Sequence, residues 1–237
     1  MTRAGWRIVN KRAFFITGTD TGVGKTLIAA GLLLAAGERG YRTAGIKPVA
    51  AGADVRDEQL VNDDAVTLQS VSTLHLDYAL VNPYLFEPPI APHVAAARAG
   101  VKLSVVDFVR HFEKLAELDA DLVVVEGAGG WLVPINDTET LADVCVALQM
   151  PAILVVGLRL GCLNHALLTA AAIDHAGVEI AGWVGNCIVD DMAARDENLQ
   201  CLRERLPAPC LGVVPFLGSG LIEEDIEVFL DIDSLLG

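Results

Sequence analysis

Short apolar runs alternate with longer helical stretches along the 237-residue chain. Several of the runs lack polar positions altogether, which is typical of parallel strands covered on both faces. The runs predict strands at Ala13–Thr17, Thr43–Ile46, Leu122–Val125, Ala152–Val156, Ile180–Val184 and Cys210–Val213. The stretches between them predict helices at Lys25–Gly40, Asp63–Val71, Leu103–Leu118, Asn164–Ala176 and Met192–Leu206. This alternation indicates a doubly wound α/β fold, with a mostly parallel sheet and helices on both faces.

Capping residues mark several of the expected helix ends. Asp63 and Asn164 stand where N-caps are expected, and Gly40 and Gly177 stand where a glycine commonly follows a helix. In a doubly wound sheet the ligand site lies beyond the carboxyl ends of the strands. The residues that follow each apolar run are therefore the candidates for chemistry.

Composition favours one domain with a large core, because 53% of the residues are hydrophobic and 20% are charged. We expect a single domain over residues 1–237, with an N-terminal tail at 1–12 and an acidic segment at 218–237. The net charge of −14 argues against nucleic acid and membranes as partners. No apolar run reaches the ~20 residues of a spanning helix and no signal-peptide core is present, so we expect a cytoplasmic protein. The five scattered cysteines predict reduced thiols.

A glycine-rich loop with the sequence GTDTGVGKT lies between the first predicted strand and the first predicted helix. The backbone N–H groups of such a loop, together with the helix N-terminus, bind phosphate oxygens. Lys25 would reach the β- and γ-phosphates, and the Thr26 hydroxyl would bind Mg²⁺. Five residues, rather than the usual four, separate Gly18 from Gly24, and Thr19 takes the place of the usual first glycine. The loop predicts a nucleoside triphosphate site in a P-loop NTPase-like domain.

A second lysine, Lys47, follows the second predicted strand and precedes Pro48. At the ligand edge of the sheet, a second cation would stabilise the charge that develops on a transferring phosphoryl group. The alternative is a solvated lysine at the end of a strand.

Carboxylates that could hold a metal follow the third strand and open the second helix. Glu126 ends the buried run LVVV and precedes a glycine loop, which resembles a Walker B strand with Glu in place of Asp. The alternative for Glu126 is a side chain that caps the strand end. Of Asp63 and Asp64, one could serve as an N-cap while the other completes the oxygen ligands that Mg²⁺ prefers.

The segment Gly161–His165 opens a helix after the fourth strand, where free N–H groups suit an anion such as a carboxylate. A histidine near the start of a helix, such as His165, is more often structural than catalytic. The same holds for His93, although the proline-rich turn that contains it could form a rigid wall of a pocket.

Several segments together resemble the dethiobiotin synthetase family of the biotin pathway: GTDTGVGKT, TAGIKPVAAG, VNPYLFEPPIAPH, VVVEGAGGWLVPI and PAILVVGLRLGCLNHALLT. The resemblance extends from about Phe14 to Leu217 and includes every loop on the ligand side of the sheet. It implies an ATP- and Mg²⁺-dependent ligase that forms a cyclic urea from 7,8-diaminopelargonate and CO₂. The implied intermediates are a carbamate and a carbamic–phosphoric anhydride.

The resemblance also assigns roles to residues. Lys25 and Lys47 would be catalytic, because they take the phosphate and carbamate charges. The implied Mg²⁺ ligands are Thr26, Asp64 and Glu126. The implied nucleotide-binding residues are Gly22, Val23, Gly24, Lys25, Thr26, Asp64, Glu126, Gly127, Ala128, Gly129, Asn186, Cys187, Pro215, Phe216 and Leu217. The implied substrate-binding residues are Thr21, Lys47, Gly161, Cys162 and Asn164, of which the last three would take the substrate carboxylate across the two-fold interface of a homodimer.

The chain departs from some relatives at Ala51, where they have a serine, and at Gly22, where they have a glutamate; both changes remove a side-chain contact to substrate. Two rival interpretations belong to other classes. A switch ATPase of the chromosome-partitioning kind carries an extra lysine early in the loop, where this chain has Thr19 and Asp20. The synthetase domain of a glutamine-dependent amidotransferase needs a further domain with a catalytic cysteine.

Overall fold

The computed structural model describes residues 12–218 and 223–236. The strands of these ranges are β1 (Arg12–Gly18), β2 (Thr43–Ile46), β3 (Val49–Ala51), β4 (Asp54–Arg56), β5 (Gln59–Val61), β6 (Tyr84–Phe86), β7 (Leu122–Gly130), β8 (Ala152–Leu158), β9 (Ile180–Cys187) and β10 (Cys210–Val214). The helices are α1 (Lys25–Glu38), α2 (Asp63–Val71), α3 (Tyr78–Val81), α4 (Pro92–Arg98), α5 (Val105–Leu115), α6 (Leu141–Leu148), α7 (Cys162–His175), α8 (Arg195–Arg205) and α9 (Asp233–Leu236). A 3₁₀ helix spans Glu223–Phe229.

Six strands form one sheet in the order β10-β9-β8-β1-β7-β2. Each neighbouring pair in this sheet is parallel, so that Phe14 lies beside Val124 and Phe15 beside Ala152. All the strands that the apolar runs predict are present, and the prediction of a doubly wound α/β fold is confirmed. Within the described residues, β3 pairs with β6 and β4 with β5 in two small sheets that the pattern does not predict.

Helices cover both faces of the sheet, because alternate residues of a strand point to opposite sides. On one side Phe15 and Val125 pack with Phe108 of α5. On the other side Ile16 and Val124 pack with apolar residues of α1 and α2. A third cluster joins β8 and β9 to α7 and α8. Apolar side chains therefore cover both faces of the sheet, and polar groups are expected at the carboxyl edge of the strands.

The predictions of Asp63 and Asn164 as N-caps are wrong. Asn62, rather than Asp63, caps α2, and its side chain accepts a hydrogen bond from a first-turn backbone N–H at 3.4 Å. Asparagine is among the strongest N-cap residues, so the helix begins after it. Helix α7 begins at Cys162 with Gly161 at the N-cap, which places Asn164 inside the first turn.

The expected glycines after helices are confirmed. Gly40 and Gly177 follow α1 and α7 with φ of +83° and +72°, a region that favours glycine. Helices α3, α4, α6 and α9 and the 3₁₀ helix are not predicted by the pattern. Helix α4 is short and begins inside a proline-rich segment, where Pro92 takes its first position.

The described part of the acidic segment packs against α1. Ile226 and Leu230 are buried, and the absence of a side chain at Gly31 makes room for both. The Asp231 N–H donates to Leu211 O at 2.7 Å, which ties the segment to β10. The acidic segment at 218–237 thus contributes apolar residues to the core. The expected tail at 1–12 lies outside the described residues apart from Arg12, which begins β1.

None of the helices in residues 12–218 and 223–236 has both the length and the apolar character needed to cross a bilayer.

Candidate active site

The carboxyl ends of β1, β2 and β7 enclose a cleft of about 760 Å³, together with the start of α2 and the segment before α4. The predicted site residues that line it are Thr21, Gly22, Gly24, Lys25, Thr26, Lys47, Asp64, Glu126, Ala128 and Gly129. Residues from four separate parts of the sequence therefore meet where the strand pattern predicts the ligand site.

The phosphate loop leaves β1 and enters α1 through two glycines with positive φ, Gly22 at +73° and Gly24 at +89°. The Asn186 side chain holds this loop from the end of β9, because its Nδ2 donates to Val23 O at 2.9 Å. A Cβ at Gly24 would overlap Asn186 Nδ2. Only glycine therefore satisfies both the backbone conformation and the space at residue 24.

Lys25 is buried at the first position of α1, and its Nζ donates to Asp20 O at 3.2 Å. Burial and the neighbouring Lys47 lower the pKa of Lys25. The Lys25 ammonium favours an anionic ligand, and the helix N-terminus adds its partial positive charge.

Lys47 is only 3% exposed and lies directly after β2. Its Nζ donates to Asp64 Oδ2 at 2.7 Å and to Glu126 Oε1 at 2.6 Å. Burial acts to lower the pKa of Lys47, but the two carboxylates outweigh it and raise that pKa. Lys47 is therefore a buried, paired cation rather than a solvated lysine.

Glu126 lies within β7 and is 1% exposed. Its Oε1 also accepts a hydrogen bond from Thr26 Oγ1 at 2.9 Å, whereas its Oε2 is buried without a partner among the described residues. Burial raises the pKa of Glu126, and the nearby Asp64 adds to this effect. The unpartnered oxygen, buried in the wall of the cleft, is available to a cationic group.

The structure also separates the two adjacent aspartates of α2. Asp63 is exposed and pairs with Arg56, whereas Asp64 lines the cleft. Burial acts to raise the pKa of Asp64, but Lys47 outweighs it and lowers that pKa, so the carboxylate stays ionised.

The remaining predicted residues lie outside the lining of the cleft. Val23, Gly127, Asn186 and Cys187 stand just behind it or further along the same sheet edge. Phe216 is 42% exposed beyond β10, and its neighbours Pro215 and Leu217 are half-buried. Gly161, Cys162 and Asn164 open α7, where Cys162 is buried in the core and the other two are exposed. The structure does not bring these residues to the cleft of the same chain.

Some lining residues were not singled out from the sequence as site residues: Ala50, Asn62, Pro89, Ile90, Ala91, Pro92 and Val133. The proline-rich turn that could form a pocket wall does so through residues 89–92, whereas His93 lies outside the cleft lining. Asn62 could have been found from its position before two aspartates, since asparagine there is a typical N-cap.

The parallel sheet, the glycine loop that leads into α1 and the buried lysines define a P-loop nucleotide-binding protein. Solved structures of FtsY share the fold: the one from Mycoplasma mycoides has a TM-score of 0.51 at 17% identity, covering 97% of this chain and 67% of that one. FtsY from Elizabethkingia anophelis, in complex with GDP, has a TM-score of 0.54 at 16% identity, covering 95% of this chain and 62% of that one.

Sequence relatives define the family more narrowly. A family model described as an AAA domain matches residues 12–220. ATP-dependent dethiobiotin synthetase BioD of Cellvibrio japonicus is 50% identical over 228 residues, which are 96% of this chain and 99% of that protein. The enzyme of the same name from Pseudomonas paraeruginosa is 54% identical over 208 residues, 87% of this chain and 91% of that protein. The chain belongs to the ATP-dependent dethiobiotin synthetase family.

Proposed function

We propose that this protein forms the ureido ring of dethiobiotin from 7,8-diaminopelargonate, CO₂ and ATP, and releases ADP and phosphate. It is a carbon–nitrogen cyclo-ligase of biotin biosynthesis. The observation that carries the proposal is the buried Lys47, paired with Asp64 and Glu126, beside the phosphate loop in one cleft.

ATP binds with its phosphates along residues 22–26. The backbone N–H groups of the loop and the N-terminus of α1 face the phosphate oxygens. Lys25 exchanges its hydrogen bond to Asp20 O for one to a phosphate oxygen. We place the adenine further along the sheet edge, at Asn186 and Cys187 and the segment 215–217.

The reaction begins when one amine of the diamine adds to CO₂ and loses a proton, which gives a carbamate. A carbamate oxygen then attacks the γ-phosphorus, the bond to the bridging oxygen breaks, and ADP leaves. Lys47 and Lys25 balance the charge that spreads over the phosphoryl oxygens during this transfer.

Ring closure follows when the second amine attacks the carbonyl carbon of the mixed anhydride, loses a proton and expels phosphate. This sequence needs no covalent nucleophile from the protein. Among the described residues that line the cleft, none is Ser, Cys or His. The site therefore acts by holding the reactants in line and by compensating charge.

Mg²⁺ fits the oxygen donors of the cleft. Thr26 Oγ1, Asp64 and the unpartnered Oε2 of Glu126 are the groups that would hold it. Two carboxylates and one hydroxyl leave room for the waters and phosphate oxygens that Mg²⁺ also binds. Such an ion supplies Lewis-acid neutralisation of the phosphate charge.

The far end of the substrate is a carboxylate, and we place it at Gly161, Cys162 and Asn164 of a partner subunit in a homodimer. The support is that these residues open α7 on the same sheet edge but do not line the cleft of their own chain. The cytoplasmic location stays a prediction from the sequence.

The decisive experiment measures dethiobiotin and ADP together in purified protein. We expect both to form in equal amounts, and only when 7,8-diaminopelargonate, bicarbonate, Mg²⁺ and ATP are all present. ATP turnover that proceeds without the diamine, or that responds to DNA or lipid, would contradict the proposal and favour the switch ATPase.

A further inference from the structure

A buried hydrogen-bond network holds the backbone of Lys47. The Lys47 N–H donates to Val81 O at 2.8 Å, and the Lys47 carbonyl accepts from Asn82 Nδ2 at 2.7 Å. Asn82 is itself buried. The peptide groups on both sides of Lys47 are thus fixed by the end of α3 and the residue that follows it.

The Tyr78 hydroxyl connects this network to the start of α2. It donates to Asn82 Oδ1 at 3.2 Å and accepts from the Asn62 N–H at 2.8 Å. Asn62 caps α2, which carries Asp64 in its first turn. Burial raises the pKa of Tyr78, so the hydroxyl keeps the proton that it donates.

We propose that Tyr78 is a positioning residue, whose hydroxyl fixes the Lys47 backbone relative to that of Asp64 through Asn82 and Asn62. The inference rests on the proposed function, in which the Lys47 ammonium acts on the transferring phosphoryl group. A long lysine side chain that is held only at its charged end can follow a moving carboxylate. With the backbone on both sides of the ion pair fixed, the ammonium stays where the phosphoryl group reacts.

A merely structural tyrosine makes a different prediction. Removal of its hydroxyl would then lower stability slightly and leave the kinetic constants alone. A positioning tyrosine lowers kcat, because Lys47 acts in the transition state, and spares the KM for ATP, because the phosphate loop does not depend on the network.

The test compares Tyr78→Phe with Tyr84→Phe. Tyr84 is a matched control, because its ring packs on Phe108 with centroids 5.0 Å apart while its hydroxyl has no hydrogen-bond partner within the described residues. We expect kcat to fall about tenfold in Tyr78→Phe, with KM for ATP within about twofold of wild type. A kcat equal to that of Tyr84→Phe, or a change confined to KM for ATP, would overturn the proposal.

Amide hydrogen exchange gives a readout that does not need turnover. The Lys47 amide bonds to Val81 and not to Tyr78, so its protection reports on the network rather than on the deleted contact. We expect faster exchange at Lys47 in Tyr78→Phe and unchanged exchange in Tyr84→Phe. Unchanged protection in both variants refutes the positioning role. Failure of the wild-type protein to form dethiobiotin refutes only the proposed function.

Discussion

The two halves of the predicted site differ in how far one chain completes them. At the ends of β1, β2 and β7, cations and carboxylates are buried and bonded to one another, as Lys47 is to Asp64 and Glu126. At the end of β8, the turn before α7 is open, and its Leu160 is 92% exposed. In the proposed function, phosphate chemistry uses the side chains of one chain, whereas the far end of the substrate is placed at a second copy of the chain.

The largest effect is expected at the ends of β1, β2 and β7, where the side chains of one chain form the site. Lys47→Ala should lower kcat on the order of 10²-fold or more while leaving KM for ATP almost unchanged, because in the proposed function the ammonium acts mainly on charge that develops in the transition state. Lys47→Arg should restore little, since a planar guanidinium does not replace a compact ammonium. Steady-state kinetics with saturating diamine and bicarbonate measure this, with the exposed Lys102→Ala as control. An increase in KM for ATP alone would assign Lys47 to nucleotide binding.

A second test of the same half uses two glycines of similar conformation. Gly24→Ala forces a Cβ into Asn186 at φ +89°, whereas Gly40→Ala has φ +83° and nothing within 4 Å. Both variants should lose about 1–2 kcal/mol of stability from the backbone strain. Only Gly24→Ala should also weaken ATP binding, by about tenfold or more, because overpacking shifts the loop. Equal ATP affinities by calorimetry would show that the loop tolerates displacement.

The open half is tested by its exposed leucine. Leu160→Glu should make the protein monomeric and lower activity by about tenfold, since a charge buried in an interface without a partner is costly. Val228→Glu is the control, because Val228 is also an exposed apolar residue, on the 3₁₀ helix. Light scattering and turnover are measured on the same samples. A monomeric Leu160→Glu variant with full activity would show that substrate binding does not need a second copy of the chain.

The smallest effect concerns the ion pair that joins the two halves. Arg159 Nη2 lies 3.0 Å from Asp20 Oδ2 and links the turn before α7 to the phosphate loop. Arg159→Ala should raise KM for ATP and for the diamine about two- to fivefold, with little loss of stability because the pair is half exposed. Arg39→Ala breaks the 3.0 Å pair with Asp233, of similar exposure on the arginine side, and should change neither constant. Equal kinetics in the two variants would show that the halves are not coupled through this pair.

Much of the fold and of the cleft could be predicted from the sequence, because both rest on local patterns. Continuous apolar runs predict the parallel strands, and the residues that follow them reach the cleft, as Lys25, Lys47 and Glu126 do. The pattern could not show which of two adjacent residues faces the cleft. Asp63 and Asp64 have the same chemistry, and only the helix start at Asn62 decides which one faces the cleft.

Residues that act through long-range contacts also escape the sequence pattern. Tyr78 carries no local signal, because its partners at Asn62 and Asn82 are brought to it only by the fold. The sequence predicts only an acidic segment at 218–237 and no role for it, because the pattern does not show which surface its apolar residues cover. Its core role depends on the small Gly31, which lies far away in the chain.

The packing of Ile226 and Leu230 on α1 bears on biosynthesis. Gly31 leaves the ribosome roughly two hundred residues before the segment that covers it, which at 5–20 residues per second is an interval on the order of ten to forty seconds. Throughout that time the outer apolar surface of the helix that begins with Lys25 has no cover. During this interval the nascent chain exposes an apolar helix surface, to which a chaperone that recognises aliphatic side chains would bind.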